Sequence, residues 1–268
     1  MSTGKAARMS RIGTEGRYLM VPMDHGITMG AVEGLVDIES TIDRVTAGGA
    51  DSILTQRGIA SRVHGNLNGA GYIVHLNGST DKGTDENDKR RTGTVEDAIR
   101  AGADAVSFHI NVFSEYEPDQ IEELAAVTSE AERLGMPTLV MAYARGHEVR
   151  ETDPEAFAED LGHAVRLGEE LGGDLVKTAY SGSAETFERV VESTSLPVVI
   201  AGGSKGTDAE TLGMVRGAMD AGAAGVSMGR SIFQHESPGK IARAVHAVIH
   251  EDASAEEAAE RAGLVVEA

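Results

Sequence analysis

The chain has 268 residues with neither cysteine nor tryptophan, and 43 acidic side chains against 24 basic ones give it a formal net charge of −19. The lack of thiols excludes disulfides, Cys-ligated metal centres and thiolate nucleophiles and fits a cytoplasmic protein, while apolar runs of at most about seven residues fall far short of the roughly 20 a membrane span needs. So negative a surface repels a phosphate backbone, so neither nucleic acid nor membrane is expected as a partner.

Lysine accounts for only six of the 24 basic residues, aromatics for 4 %, and the acids are spread along helix-like stretches rather than gathered in a tail. This pattern reads as adaptation to high salt, where a Debye length of about 3 Å near 1 M relieves self-repulsion. An ordinary acidic enzyme is the alternative.

The polar N-terminal extension, residues 1–16, has no apolar segment of the kind a secretory signal carries. Eight runs rich in apolar and β-branched residues follow: 18–24, 52–56, 72–77, 105–111, 138–143, 175–180, 198–203 and 225–230. Four of them are entered through one recurring design, in segments 47–54, 101–108, 171–178 and 221–228. In each, a helix end meets glycine, a left-handed cap residue, and small residues then lead into the strand. Helical spacing fills most intervals, with 118–134 and 154–171 each opening on proline, a first-turn residue. Two intervals are irregular: 58–70 is rich in Gly and Asn, and 78–93 is a polar loop. Eight alternating units with nearly continuous apolar strands predict an α/β fold, a single-domain (β/α)8 TIM barrel over 1–268, with an open doubly wound sheet as the alternative. The acidic C-terminal segment 251–268 is expected to be a helix or tail, with 251–260 a solvated face.

In such a barrel the chemistry sits where strands end at their carboxyl side. Lys177 lies within a strand of a chain poor in lysine, on the face opposite Val176. If that face is interior, desolvation lowers the ammonium pKa, as a Schiff-base nucleophile requires; a salt-bridged or phosphate-holding lysine is the alternative. Asp24 and Tyr143, at the ends of the first and fifth strands, are suited to the proton transfers of iminium chemistry, although Asp is also a common capping residue and Tyr can simply fill the barrel mouth. Gly202, Gly203, Ser204, Lys205 and Gly206 after the seventh strand, with Gly229 and Arg230 after the eighth, read as a phosphate cradle. His75 and His109 occupy matching strand ends and with Asp24 would suit a metal site; hydrogen-bonded structure is the commoner role for such residues.

Several strings match a known family: Val21-Pro22-Met23-Asp24-His25-Gly26, Met141-Ala142-Tyr143-Ala144-Arg145-Gly146, Val176-Lys177-Thr178, Ala201-Gly202-Gly203, and Gly229-Arg230-Ser231-Ile232-Phe233-Gln234-His235. They resemble the archaeal class I fructose-bisphosphate aldolase family, and within it the branch of amino-heptulosonate synthases. The resemblance covers about residues 16–250, with the motifs in order on the expected strands. It implies a Schiff base at Lys177, a proton donor in Tyr143 and a proton acceptor in Asp24. It further implies substrate and phosphate contacts at Asp24, His25, Gly26, Ile27 and Thr28, at Tyr143, Ala144 and Arg145, at Lys177, and at Gly202, Gly203, Gly229 and Arg230. No cofactor and no metal is expected. The implied reaction is a transaldol exchange that cleaves a phosphorylated diulose at Lys177 and joins the enamine fragment to L-aspartate semialdehyde, in aromatic amino acid biosynthesis. Fructose 1,6-bisphosphate cleavage is the alternative. A homo-oligomer, a decamer in the family, is also implied. Two positions separate this chain from parts of the family: Ala144 stands where proline is usual, and Met141 stands where fructose-bisphosphate aldolases carry tryptophan. A non-catalytic sugar-phosphate binder would need the cradle but not Lys177, Tyr143 and Asp24 together.

Overall fold

Eight parallel strands pair in chain order and close on themselves: β1 (Tyr18–Pro22), β2 (Ser52–Gln56), β3 (Gly71–His75), β4 (Ala105–Val112), β5 (Thr138–Ala144), β6 (Leu175–Thr178), β7 (Val198–Ala201) and β8 (Gly225–Ser227). The last seam joins β8 to β1 with Tyr18 opposite Gly225 and Met20 opposite Ser227. This is the expected TIM barrel, seen in a computed structural model that describes residues 2–203 and 205–264. Ser204 and the end of the acidic segment, 265–268, lie outside the described residues.

Because side chains alternate across a strand, one set fills the barrel and the other faces the helices. Met20, Leu54, Ile73, Leu139, Leu175 and Val199 are buried inside. Val21, Ile53, Val74, Val140, Val176 and Ile200 are buried outside, under the helical layer. Full burial of each such side chain contributes about 1.5–3 kcal/mol.

The recurring strand-entry segments carry a second device. Asp51, Asp104 and Asp174 each stand one residue before a strand, and each carboxylate accepts a hydrogen bond from the first backbone N–H groups of a neighbouring strand: Leu19 at 2.6 Å, Tyr72 at 3.1 Å and Thr138 at 2.9 Å. These donors lie where the ladder begins, so the carboxylates satisfy groups that would otherwise be orphaned. The fourth copy has Ala224 in that place. There Gly225, at φ +143°, brings its backbone so close to β1 that a Cβ would lie 2.0 Å from the Tyr18 carbonyl oxygen.

One element was not foreseen and two expectations need correction. The extension 1–16 includes a helix, α1 (Thr3–Ile12), that closes the amino-terminal end of the barrel with Ile12 fully buried in the interior cluster. Its Lys5 is buried beside Glu132 and, at 3.0 Å, Asp174. The polar loop 78–93 contains an antiparallel pair, Asn77–Gly78 with Arg90–Arg91, in which Asn77 lies opposite Arg91. Finally, 251–260 is not wholly solvated. A Ser254/Glu257 capping box starts the helix Ala255–Ala262, and Ala258, Ala259 and Ala262 are buried in the outer core.

Surface ion pairs such as Arg166–Glu170, at 2.5 Å, and Arg216–Asp252, at 2.8 Å, leave the surplus of acids largely unpaired. Raising KCl from 0.1 to 2 M is therefore expected to raise Tm by about 10 °C or more, as screening removes the self-repulsion. Thermal melts followed by circular dichroism test this; a Tm indifferent to salt would refute the high-salt reading.

Candidate active site

At the carboxyl ends of the strands lies a cavity of about 470 Å³. Lys177 enters it from β6, in register with Met141 on β5 and Val199 on β7. It is 7 % exposed, whereas Val176 beside it packs outward against the helices. The alternation read from the sequence therefore puts the amine inside the barrel, as expected.

Asp24 follows β1 and lies 3.7 Å from His25 Nδ1 and 3.8 Å from His75 Nε2. Burial pushes its carboxyl up, but the positive potential of His75, His25 and Lys177 outweighs burial and holds it below the ordinary carboxylate range. His75 is itself held down to about 4 by burial, with Lys89 and Lys177 adding to the effect against the pull of Asp24. Its Nδ1 is 2.8 Å from Ser107 Oγ. At neutral pH the His75 imidazole is thus uncharged and stands beside an ionised Asp24.

Tyr143, at the end of β5, lies against the ring of His109, with centroids 4.9 Å apart. The Arg145 guanidinium sits 5.6 Å over the phenol ring, within cation–π range. His109 Nε2 is 2.8 Å from Asn111 Oδ1, and Asn111 Nδ2 donates to the Asn87 carbonyl at 3.1 Å. That carboxamide oxygen can only accept, so Nε2 carries the proton. Burial, then Lys89 and His75, keep His109 well below the usual histidine range. Among the described residues no group of three or more His, Asp and Glu is placed to hold a metal ion. The alternative metal set of Asp24, His75 and His109 is not assembled, because His109 is turned to Asn111.

Gly202, Gly203, Gly229 and Arg230 line the same cavity, as do His25, Ile27 and Thr28. Gly203 adopts φ +63°, a left-handed conformation that costs glycine little. Gly229 lets the loop after β8 meet the loop after β1: a Cβ there would lie 2.5 Å from His25 Cε1 and 2.8 Å from the Pro22 carbonyl oxygen. Arg230 Nε is buried with no hydrogen-bond partner among the described residues.

Other expected contacts are placed elsewhere. Lys205 Nζ donates to the Gln234 carbonyl at 2.9 Å and is not among the cavity walls. Ala144 is buried in the outer core. Gly26 is the exposed first residue of the short helix Gly26–Met29 and is not among the cavity walls. Conversely, Asp81, Glu86 and Lys89, from the excursion between β3 and β4, join the cavity wall although the sequence reading assigned them nothing. The available signal was Lys89 itself, one of six lysines in the chain, in a loop at the carboxyl end of a strand.

Comparison with known proteins agrees with this geometry. The chain is 64 % identical over 265 residues to the 2-amino-3,7-dideoxy-D-threo-hept-6-ulosonate synthase of Halobacterium salinarum, covering 99 % of this chain and 98 % of that one. It is 32 % identical over 257 residues to the class 1 fructose-bisphosphate aldolase of the same species, covering 93 % and 96 %. The solved structure of an archaeal fructose-1,6-bisphosphate aldolase with its catalytic lysine covalently bound to the carbinolamine intermediate matches with a TM-score of 0.83 at 31 % identity, covering 91 % of this chain and 99 % of that one. Residues 18–235 match the DeoC/LacD aldolases, so that fold, motif order and the interior lysine converge on one statement: the chain belongs to the DeoC/LacD family of aldolases.

Proposed function

We propose that the chain is a lysine Schiff-base transaldolase. It cleaves 1-deoxy-D-threo-hexo-2,5-diulose 6-phosphate and joins the enamine fragment to L-aspartate 4-semialdehyde, giving 2-amino-3,7-dideoxy-D-threo-hept-6-ulosonate for 3-dehydroquinate and aromatic amino acid synthesis. The observation that carries the reading is the buried Lys177 in one cavity with an ionised Asp24 and with Tyr143.

The product keeps the methyl ketone end of the diulose and the whole of aspartate semialdehyde, which fixes the bonds. Lys177 Nζ adds to the C2 ketone, and Tyr143 delivers the proton with which the carbinolamine oxygen leaves as water. Asp24 takes the proton of the C4 hydroxyl as the C3–C4 bond breaks. The electron pair passes to C3 and into the enamine, and the phosphorylated aldehyde departs. C3 then attacks the aldehyde carbon of aspartate semialdehyde, whose oxygen takes up a proton, and water frees the product from Lys177. Groups preorganised at the barrel mouth do this with little reorganisation at the moment of reaction. Gly202, Gly203, Gly229 and Arg230 hold the phosphate, and His109 and Arg145 fix the phenol of Tyr143.

Fructose 1,6-bisphosphate cleavage is the second reading, favoured by the structural match to an aldolase of that type. Identity of 64 % to the synthase against 32 % to the aldolase of one species favours the first, as does Met141. Incubation in high salt with the diulose phosphate and aspartate semialdehyde, followed by mass spectrometry, is expected to give the amino-heptulosonate, with fructose 1,6-bisphosphate barely cleaved. Cleavage of the bisphosphate alone would transfer the protein to the second reading.

The reading also makes the protein a cytoplasmic homo-oligomer. Val36, 70 % exposed, and Met29, 45 % exposed, are apolar side chains suited to subunit contact. Light scattering in high salt is expected to give a multiple of the 28.1 kDa chain mass, and a monomer would refute this part.

A further inference from the structure

Lys89 is a second amine in the catalytic cavity, on the side opposite the phosphate cradle in strand order, and the mechanism above leaves it unused. Its Nζ donates to Ser79 Oγ at 3.1 Å and to the Glu86 carbonyl at 3.4 Å. An ammonium has three protons, and neither of these acceptors is charged. Among the described residues no carboxylate forms an ion pair with it. Burial pulls its pKa below the usual lysine range against the attraction of Glu86 and Asp24, and Arg145 adds to the fall. A half-buried cation in no direct ion pair among the described residues keeps a proton for an anionic ligand.

Two carboxylates share this wall. Asp81 and Glu86 line the same cavity from the same excursion. The excursion is held in place at several points: the Asp81 N–H donates to the Thr28 carbonyl at 3.1 Å, and the Asn87 carbonyl accepts from Asn111 at 3.1 Å and Gln120 at 2.6 Å. Its charges are therefore presented by a fixed frame. A phosphate dianion beside Lys89 would meet the repulsion of both acids. A zwitterion would not, since its carboxylate and its ammonium each find the opposite sign.

We propose that residues 79–89 form the acceptor subsite, in which Lys89 holds the carboxylate of an α-amino-acid aldehyde and Asp81 and Glu86 hold its ammonium. This rests on the transaldolase reading and goes beyond it by naming what selects the second substrate. The cradle after β7 and β8 is committed to the phosphate, so the charged end of the acceptor needs a partner elsewhere, and this wall supplies both signs. A site built for two charges favours aldehydes that carry both, because an acceptor lacking either one leaves the opposite charge of the wall without its partner.

The test is acceptor competition with the full-length protein in high salt, using the diulose phosphate as donor and L-aspartate semialdehyde, succinate semialdehyde or propanal as acceptor. In Lys89→Met the ratio of kcat/KM for L-aspartate semialdehyde over propanal is expected to fall by about tenfold or more, and Lys89→Arg to restore much of it. In the double variant Asp81→Asn, Glu86→Gln the preference for L-aspartate semialdehyde over succinate semialdehyde is expected to fall about fivefold or more. Equal losses with all three acceptors would assign these residues to the donor phosphate or to structure and overturn the proposal, as would unchanged ratios. A parent protein that joins the donor to no acceptor is a different result, since it refutes the transaldolase reading itself.

Discussion

Lys177→Met is expected to lower kcat/KM by a factor of about 10⁴ or more, because nucleophilic catalysis through an imine has no substitute once the amine is gone. Methionine nearly matches the length and volume of lysine, and the site is 7 % exposed inside a packed barrel, so the fold is retained. Borohydride added during turnover of the parent traps a covalent adduct on Lys177, which mass spectrometry detects; the variant gives none while its circular dichroism is unchanged. Residual activity above about one part in a hundred would mean that the imine is not on the reaction path. The same variant separates catalysis from mere binding, since a sugar-phosphate binder would function unaltered without the amine.

Asp24→Asn is expected to lower kcat by about 10²- to 10⁴-fold, the span typical of losing a positioned proton acceptor. Its signature differs from that of Lys177→Met: imine formation survives, so the borohydride adduct still appears while carbon–carbon bond cleavage stalls. The sign of the pH effect follows from the direction of the shift. Asp24 is held below the ordinary carboxylate range despite burial, by His75, His25 and Lys177. The base is therefore present at neutral and mildly acidic pH and is lost only as pH falls through that lowered value. Rates measured across pH 5–8 should show no loss traceable to protonation of this carboxyl. A profile in which Asp24→Asn abolished an acidic limb within that window would show the opposite shift.

The barrel was readable because its signal is periodic and repeated. Glycine-capped helix ends followed by apolar runs place strands to within two or three residues, and alternation puts Lys177 on the face opposite Val176, which the closed barrel makes the interior. Positions fixed by long-range packing were not readable. The buried alanines of the C-terminal helix are masked by the glutamates between them. The burial of α1 depends on contacts such as Arg11 against Gly71, where a Cβ would lie 2.3 Å from the Arg11 carbonyl oxygen, and no local pattern announces it. Asp51, Asp104 and Asp174 were visible as part of a repeat, but their hydrogen bonds reach a neighbouring strand 32 to 36 residues away in sequence. Within the site, the strand-end residues were legible and the contribution of residues 79–89 was not. Lys89 lies two residues beyond Asn87, whose carbonyl is held by Asn111 and Gln120 from two elements later in the chain.

The excursion leaves and rejoins the barrel through two antiparallel pairs, Asn77 with Arg91 and Gly78 with Arg90. Its two ends are thus clasped together before any residue between them is specified. Under that constraint, doubling the enclosed length costs only about 0.6 kcal/mol of closure entropy, and the barrel strands on either side keep their own pairing. On the proposed function the segment is an exchangeable cassette: a different set of charges grafted between positions 78 and 90 is expected to give the barrel a new reaction partner without touching Lys177.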